Sequence, residues 1–206
     1  MRTALIATAL AATALAALPL AAQNAPAPGT HDVARVKAGI YTVDPAHTQV
    51  LFEVNHLGFS QYFGIFGDIT GKMTLDPANP SAASVSIEVP IAKVTTTSAA
   101  LNEHLLNADF FDAAKYPTAT FRSTSVTVNG ETAKIAGNLT IKGVTRPVVL
   151  DARFIGAGNH PMTGAPALGF AAKTTIKRSD FGVSYGIPMV PDAVDLKINV
   201  AFDGQK

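Results

Sequence analysis

From Val194 to Asp203 the chain places an apolar side chain at every second position: Val194, Leu196, Ile198, Val200 and Phe202 alternate with Asp195, Lys197, Asn199, Ala201 and Asp203. A strand points successive side chains to opposite faces, so this period gives one apolar face and one wet face. The same period recurs along the chain. Val50, Phe52 and Val54 share a phase, as do Ile69, Gly71, Met73 and Leu75; Val85, Ile87 and Val89; Ile135, Gly137, Leu139 and Ile141; Val148, Leu150, Ala152 and Phe154; and Leu168, Phe170, Ala172, Thr174 and Ile176. The stretch 119–128, with three Thr and Phe121, reads as one more strand, and 40–43 as a short extra one. Asn129-Gly130 predicts a two-residue hairpin turn with left-handed backbone at both residues, and Lys142-Gly143 another turn. Strands with one apolar face must either close on themselves or pack on a second sheet, and closure alone protects every edge. The expected fold is therefore an all-β, antiparallel barrel.

One segment breaks the period. Leu101 and Leu105 are four apart and share a helical face, with Thr97 or Ser98 in place to cap the start. A short helical insertion follows, with Asp109 able to start a further turn before Phe110-Phe111.

The amino-terminal residues read differently. Met1-Arg2 precedes an apolar run to Leu20 and small residues at Ala21 and Ala22, the order of an export signal cleaved after Ala22. The run is short for a membrane anchor and Pro19 interrupts its end. The expected organisation is a signal peptide over 1–22, a flexible segment over 23–38 and one barrel domain over 39–206, in the periplasm. The chain has no cysteine, so an exported domain of this kind is stabilised by its core rather than by disulfides, and thiol chemistry is excluded. Lys and Arg number 16 against 15 Asp and Glu, and loss of the leader with Arg2 makes the signs equal. A neutral chain has no broad attraction for nucleic acid.

No catalytic or metal motif emerges. The five histidines include no pair at helical zinc spacing, and on a strand His56 and Glu53 face opposite ways. There is no Gly-x-Ser-x-Gly elbow and no nucleotide-binding glycine loop. Two unusual stretches stand out. In 57–67, Phe59, Tyr62, Phe63 and Phe66 lie between glycines, either as a bent corner filling ordinary core or as a cavity mouth. The other, 181–191, is uncharged and apolar, and could serve as lid, core plug or dimer surface.

Several long pieces, in order, resemble the YceI-like family, the periplasmic polyisoprenoid-binding proteins with a lipocalin-like barrel. They include Tyr41-Thr42-Val43-Asp44-Pro45, Phe52-Glu53-Val54-Asn55-His56-Leu57-Gly58, and His104-Leu105-Leu106-Asn107-Ala108-Asp109-Phe110-Phe111-Asp112. Gly137-Asn138-Leu139-Thr140-Ile141-Lys142-Gly143 and Ile176-Lys177-Arg178-Ser179-Asp180-Phe181-Gly182 complete the set. The resemblance implies an extended eight-stranded antiparallel barrel with a short helical insertion and no cofactor. It also implies a long isoprenoid lipid or quinone as ligand, a homodimer, and transient contact with a membrane or a membrane quinone protein. Tyr41 stands where the family has tryptophan, and Leu101 and Leu106 stand near positions the family fills with Arg or Lys, which favours a neutral head group over a pyrophosphate.

On this reading the tail lies along the barrel against Phe52, Val54, Phe66, Phe111, Phe121, Phe154 and Phe170. The head rests near Phe59, Tyr62 and Phe63, with His56 and His104 as polar contacts. Phe66 is out of phase with Ile69, so a bend must separate them. A lipid-modifying enzyme using the same cavity, or a structural, stress-protective barrel with a solid interior, are the alternatives.

Overall fold

The computed structural model describes residues 26–205; the expected signal peptide over 1–22 lies outside them. The described residues form twelve strands: β1 (Gly29–Thr30), β2 (Gly39–Val43), β3 (Gln49–His56), β4 (Ser60–Phe66), β5 (Thr70–Leu75), β6 (Ser84–Pro90), β7 (Val94–Thr95), β8 (Thr118–Asn129), β9 (Thr132–Ile141), β10 (Val144–Asn159), β11 (Pro166–Lys177) and β12 (Ala193–Gly204). Among the described residues the one α-helix, α1 (Ala99–Leu106), is capped by the Ser98 hydroxyl, which accepts from the Leu101 amide.

The sheet closes. Antiparallel pairing runs β2, β5, β6, β8, β9, β10, β11, β12 and back to β2, an eight-stranded barrel. Strands β3, β4 and β7 extend it on one side, and β1 lies along β10. Both β2 and β3 lie along the same edge of β12, with Val43 opposite Phe202 and Gln49 opposite Asn199. They form one long strand broken at 44–48. Buried Thr48 bridges the break: its hydroxyl accepts from the Ala201 amide at 3.1 Å. In the same way β4 and β5 are separated by a bend at 67–69, where Asp68 has φ 52°, and β6 and β7 by a 3-10 turn, Ile91–Lys93. The bend at 67–69 puts both Phe66 and Ile69 inside, each under a tenth exposed, although they are out of phase.

The interior divides at the height of these breaks. Below them Tyr41, Val43, Ile69, Met73, Phe154, Ala157, Leu168 and Phe202 form a continuous core, with Phe170 packed against it. Phe170 stands edge-on to Phe154 at 5.8 Å and to Phe202 at 6.3 Å between centroids, the arrangement aromatic rings prefer. Above them a second cluster gathers Phe66, Ile91, Val94, Leu105 and Ala119.

Three sequence expectations change. The aromatic stretch 57–67 is not a corner: Ser60–Phe66 is the regular strand β4, paired with β3 from Val50↔Phe66 to His56↔Ser60. The β8–β9 register sets Asn129 opposite Thr132, so the turn residues are Gly130 and Glu131, not Asn129 and Gly130. Only Gly130, at φ 58°, is left-handed, the pattern of a type II′ turn. The flexible segment expected over 23–38 is also partly ordered, because Gly29–Thr30 pair with Gly158 and Ala157 of β10. Glycine makes that approach feasible: a Cβ on Gly158 would lie 2.1 Å from the Pro28 carbonyl oxygen. His31 then fastens the strap, Nδ1 to the Ile155 carbonyl at 3.0 Å and Nε2 to Glu131 at 2.7 Å.

Two predictions follow from these contacts. Nothing lies within 4 Å of a Cβ added at Gly130, so Gly130→Ala isolates the backbone cost. It is expected to lower stability by about 1 kcal/mol, read from the denaturant midpoint at constant slope. The imidazole of His31, bonded on both nitrogens to acceptors, has its pKa raised by the Ile155 carbonyl first and by Glu131 second. A folded pKa above the unfolded one places the strap's contribution below about pH 6.5 and removes it as pH rises through the raised value. Amide chemical shifts of Thr30 and Ala157 should follow one transition centred above about pH 6.5 in the wild type and none in His31→Ala.

Candidate functional site

The alternation of β3 sends Val50, Phe52 and Val54 inward, while Glu53 faces out and meets Lys197 at 2.6 Å. Gly64 lies opposite Phe52, and a Cβ there would come within 2.2 Å of the phenyl ring. Glycine at this point is what lets the Phe52 ring lie across the wall. Phe66 follows on the same face, 5.9 Å from Phe52 and edge-on to Phe111 at 5.7 Å. Phe111 and Phe110 come from the residues after α1, where backbone bonds Phe111 N to Leu105 O and Ala113 N to Leu106 O fold the segment back on the helix. Leu105 turns inward from α1, Ala119 from β8, Leu139 and Ile141 from β9, Ile176 from β11, and Val194 and Leu196 from β12.

These residues enclose a cavity of about 180 Å³ above the solid core. Its remaining wall is the loop after β11, through Phe181, Val183 and Val190. Carbon faces the cavity throughout. Among the described residues Arg178 is the one charged residue on the lining, and it contributes carbon because its N–H groups are turned away. A wider depression of about 290 Å³ lies outside the barrel at the strand breaks, around Thr48, Ile65 and the exposed Asp68–Lys93 ion pair. It is an open trough, and its polar chemistry is that of a solvated surface.

The guanidinium of Arg178 is buried, and the uncharged loop is wound around it. Nε donates to the Pro191 carbonyl at 2.9 Å, Nη1 to Val183 at 3.1 Å and Tyr185 at 2.7 Å, and Nη2 to Val190 at 2.8 Å. Burial pulls the Arg178 pKa down and Asp192 opposes this; an arginine nevertheless stays protonated. Asp192 closes the loop by accepting from the Ser179 hydroxyl at 2.6 Å and the Ser179 amide at 2.8 Å, bonds that lower its pKa. This explains how a charge-free segment is ordered: its carbonyls, which water would otherwise satisfy, converge on one cation.

Of the residues singled out from the sequence, Phe52, Val54, Phe66 and Phe111 stand on the cavity wall. Phe121 is buried beside Gly137, whose added Cβ would meet its ring at 2.4 Å, and it does not line the cavity. Phe154 and Phe170 have the inward phase but belong to the lower core. Phe59 and Phe63 are exposed, at 87% and 47%, so they do not border the cavity from within. Tyr62 is half-buried with its ring 6.3 Å from that of exposed His56. His104 lies 3.1 Å from Asp109 through Nε2 and edge-on to Phe110 at 4.9 Å and Tyr185 at 5.0 Å, joining α1 to the loop. Among the described residues no group of three His, Cys, Asp or Glu is placed to hold a metal. Sequence phase could have added Val50, Leu139 and Leu196 to the lining. Phe181, Val183 and Val190 lie in a segment with no period to read.

Residues 41–202 match the sequence model of the YceI-like domain. Protein YceI of Escherichia coli is 42% identical over 171 residues, covering 82% of this chain and 89% of the relative. The crystal structure of Burkholderia cenocepacia BcnA superposes with a TM-score of 0.70 at 26% identity, over 77% of this chain and 98% of that one. A polyisoprenoid binding domain from Saccharophagus degradans, implicated in plant cell wall breakdown, shares the fold with a TM-score of 0.61 at 15% identity, over 82% of this chain and all of that one.

Arg178→Met removes the donors for all four carbonyls. The expected loss is about 3 kcal/mol of stability, with Arg178→Lys recovering little because an ammonium cannot reproduce the planar fork. Denaturant midpoints of the three proteins check both statements.

Proposed function

The chain belongs to the YceI-like family, and from that premise we propose that it is an exported, non-catalytic protein that binds, stores or carries an isoprenoid lipid or isoprenoid quinone. One observation carries the reading: the barrel keeps a cavity whose whole surface is carbon. The interior of a protein is ordinarily filled to crystal-like density, and an apolar void costs stability in proportion to its volume. A dry space of this kind suits hydrocarbon, as engineered apolar cavities of about 150 Å³ take benzene. Each methylene buried there contributes about 0.8 kcal/mol before the costs of association. The same fold serves a polyisoprenoid binding domain in Saccharophagus degradans.

The geometry also limits the ligand. A cavity of about 180 Å³ takes the terminal part of a tail, and the filled core beneath it stops further passage. A long tail threaded through the whole barrel is not what this arrangement favours; the end enters, and the rest lies toward the loop and α1. The head stays outside the carbon-lined space, within reach of His104, whose imidazole can donate to or accept from a quinone oxygen or an alcohol. Among the described residues no acid, base or nucleophile stands on the cavity wall, which supports binding over turnover. Export belongs to the same proposal, with the mature chain beginning near Gln23; the intact mass of protein from the native envelope decides it.

The central test is mass spectrometry of lipid extracted from protein purified out of its own envelope, expected to yield prenyl lipid in amounts comparable with the protein. Lipid-free protein that also ignores a ubiquinone-type lipid in detergent would overturn the reading. The sharper variant is Ala119→Leu. Ala119 is buried on the cavity wall, so three added carbons occupy the space the tail would take. Affinity for the detergent-presented lipid should fall about tenfold or more while circular dichroism is unchanged. Phe154→Leu, in the lower core, should instead cost about 1–2 kcal/mol of stability and leave lipid affinity intact.

A further inference from the structure

The large exposed apolar side chains include four on two neighbouring prominences at the cavity end. Phe59 is 87% exposed and Leu57 44% at the β3–β4 tip, while Met189 is 69% and Tyr185 53% exposed on the loop after β11. The register sets Asp195 of β12 against Glu53 of β3, so the tip and the loop rise from adjacent strands at the same end. Neither carries formal charge: 54–67 and 181–191 contain no Asp, Glu, Lys or Arg. The tip is built to present its apolar residues. Leu57 sits in the left-handed region at φ 58°, where a branched side chain is disfavoured, and Gly58 follows at φ 79°. The Asn55 side chain locks this backbone by accepting from the Gly58 amide at 2.6 Å. The loop is pinned by Arg178, and its inner side, Val183 and Val190, is the cavity wall.

We infer that this end of the barrel docks on a lipid bilayer, with Leu57, Phe59, Tyr185 and Met189 inserted among the head groups and the cavity entrance facing the membrane. The choice of a bilayer over a protein partner rests on the proposed lipid-binding role. A carbon-lined cavity is best loaded from a phase that dissolves the tail, without exposing the tail to water. The absence of charge on both prominences matches an uncharged, zwitterionic interface and offers nothing to an acidic or basic partner. Tyr185, with an apolar ring and a polar tip, suits the boundary between the two. The segment that touches the membrane is also the segment that walls the cavity, so docking and access act on one piece of chain.

The experiment is flotation of the full mature protein with vesicles of phosphatidylcholine alone, and of phosphatidylcholine with phosphatidylglycerol, at low and high salt. Wild type should float equally with both and be insensitive to salt. Phe59→Ser with Met189→Ser should reduce flotation about tenfold or more. Both positions are exposed, and circular dichroism verifies the fold. Binding of a ubiquinone-type lipid in detergent should be unchanged in the double variant. Equal flotation of variant and wild type would overturn the inference, as would salt-sensitive binding confined to the anionic vesicles. A wild-type dimer that ignores vesicles and becomes monomeric in the variant would assign the face to a second copy of the chain and overturn it as well. Docking by a wild type that takes no detergent-presented lipid would support the surface while removing the lipid-binding role, so the two readings fail separately.

Discussion

Strand β12 is hydrogen-bonded along both of its edges. On one, eleven consecutive residues pair with β11, from Ala193↔Lys177 to Asp203↔Ala167; on the other, β2 and β3 follow one another. Every other feature depends on this closure. It leaves the barrel ring without a free edge, fixes which side of each strand faces in, and brings β3, β11 and the loop between β11 and β12 to one end. A chain without cysteine relies on such closure, because its interior is the main source of cohesion and a sheet open at an edge would expose half of it.

Closure separates two requirements that usually conflict. A protein that holds an apolar ligand needs a void, and a void weakens the fold that contains it. Here the lower half is filled by Tyr41, Phe154, Phe170 and Phe202, with Met73 and Ile69 between them, and the void is confined to the upper half. The upper wall is completed by pieces that are not barrel strands, α1 with Phe110 and Phe111, and the loop wound around Arg178. Rigidity thus comes from the ladder and the lower core, and shape at the cavity end from insertions.

How far this was legible in the sequence follows from the period-two rule itself. Strands with one wet face, such as 194–203 and 50–54, were plain. Strand β4 was not, because Phe63 and Ile65 on its outer face are as apolar as Tyr62 and Phe66 on the other, and alternation cannot be seen when both phases match. Phase also reports the face of a residue and not its height. Phe154 and Phe170 share the inward direction of Phe52, yet they sit in the filled half, and only the register and the breaks at 44–48, 67–69 and 91–93 tell the two apart. The role of Arg178 was illegible for another reason. Its partners are main-chain carbonyls, and a carbonyl has no letter in a sequence. The pairing of Gly29–Thr30 with β10 was hidden likewise, since it is made through backbone and permitted by glycine at Gly158.

The three breaks fall side by side in consecutive long strands. A strand that runs unbroken transmits any insertion along its length, and a slip of one residue would exchange its inner and outer faces. Where the ladder is interrupted and restarted, as between Val43↔Phe202 and Gln49↔Asn199, the two parts keep independent registers. Residues can be gained or lost at 44–48 or 67–69 without reversing the strands below. On this side of the barrel the cavity end can therefore change length while the foundation keeps its pairing.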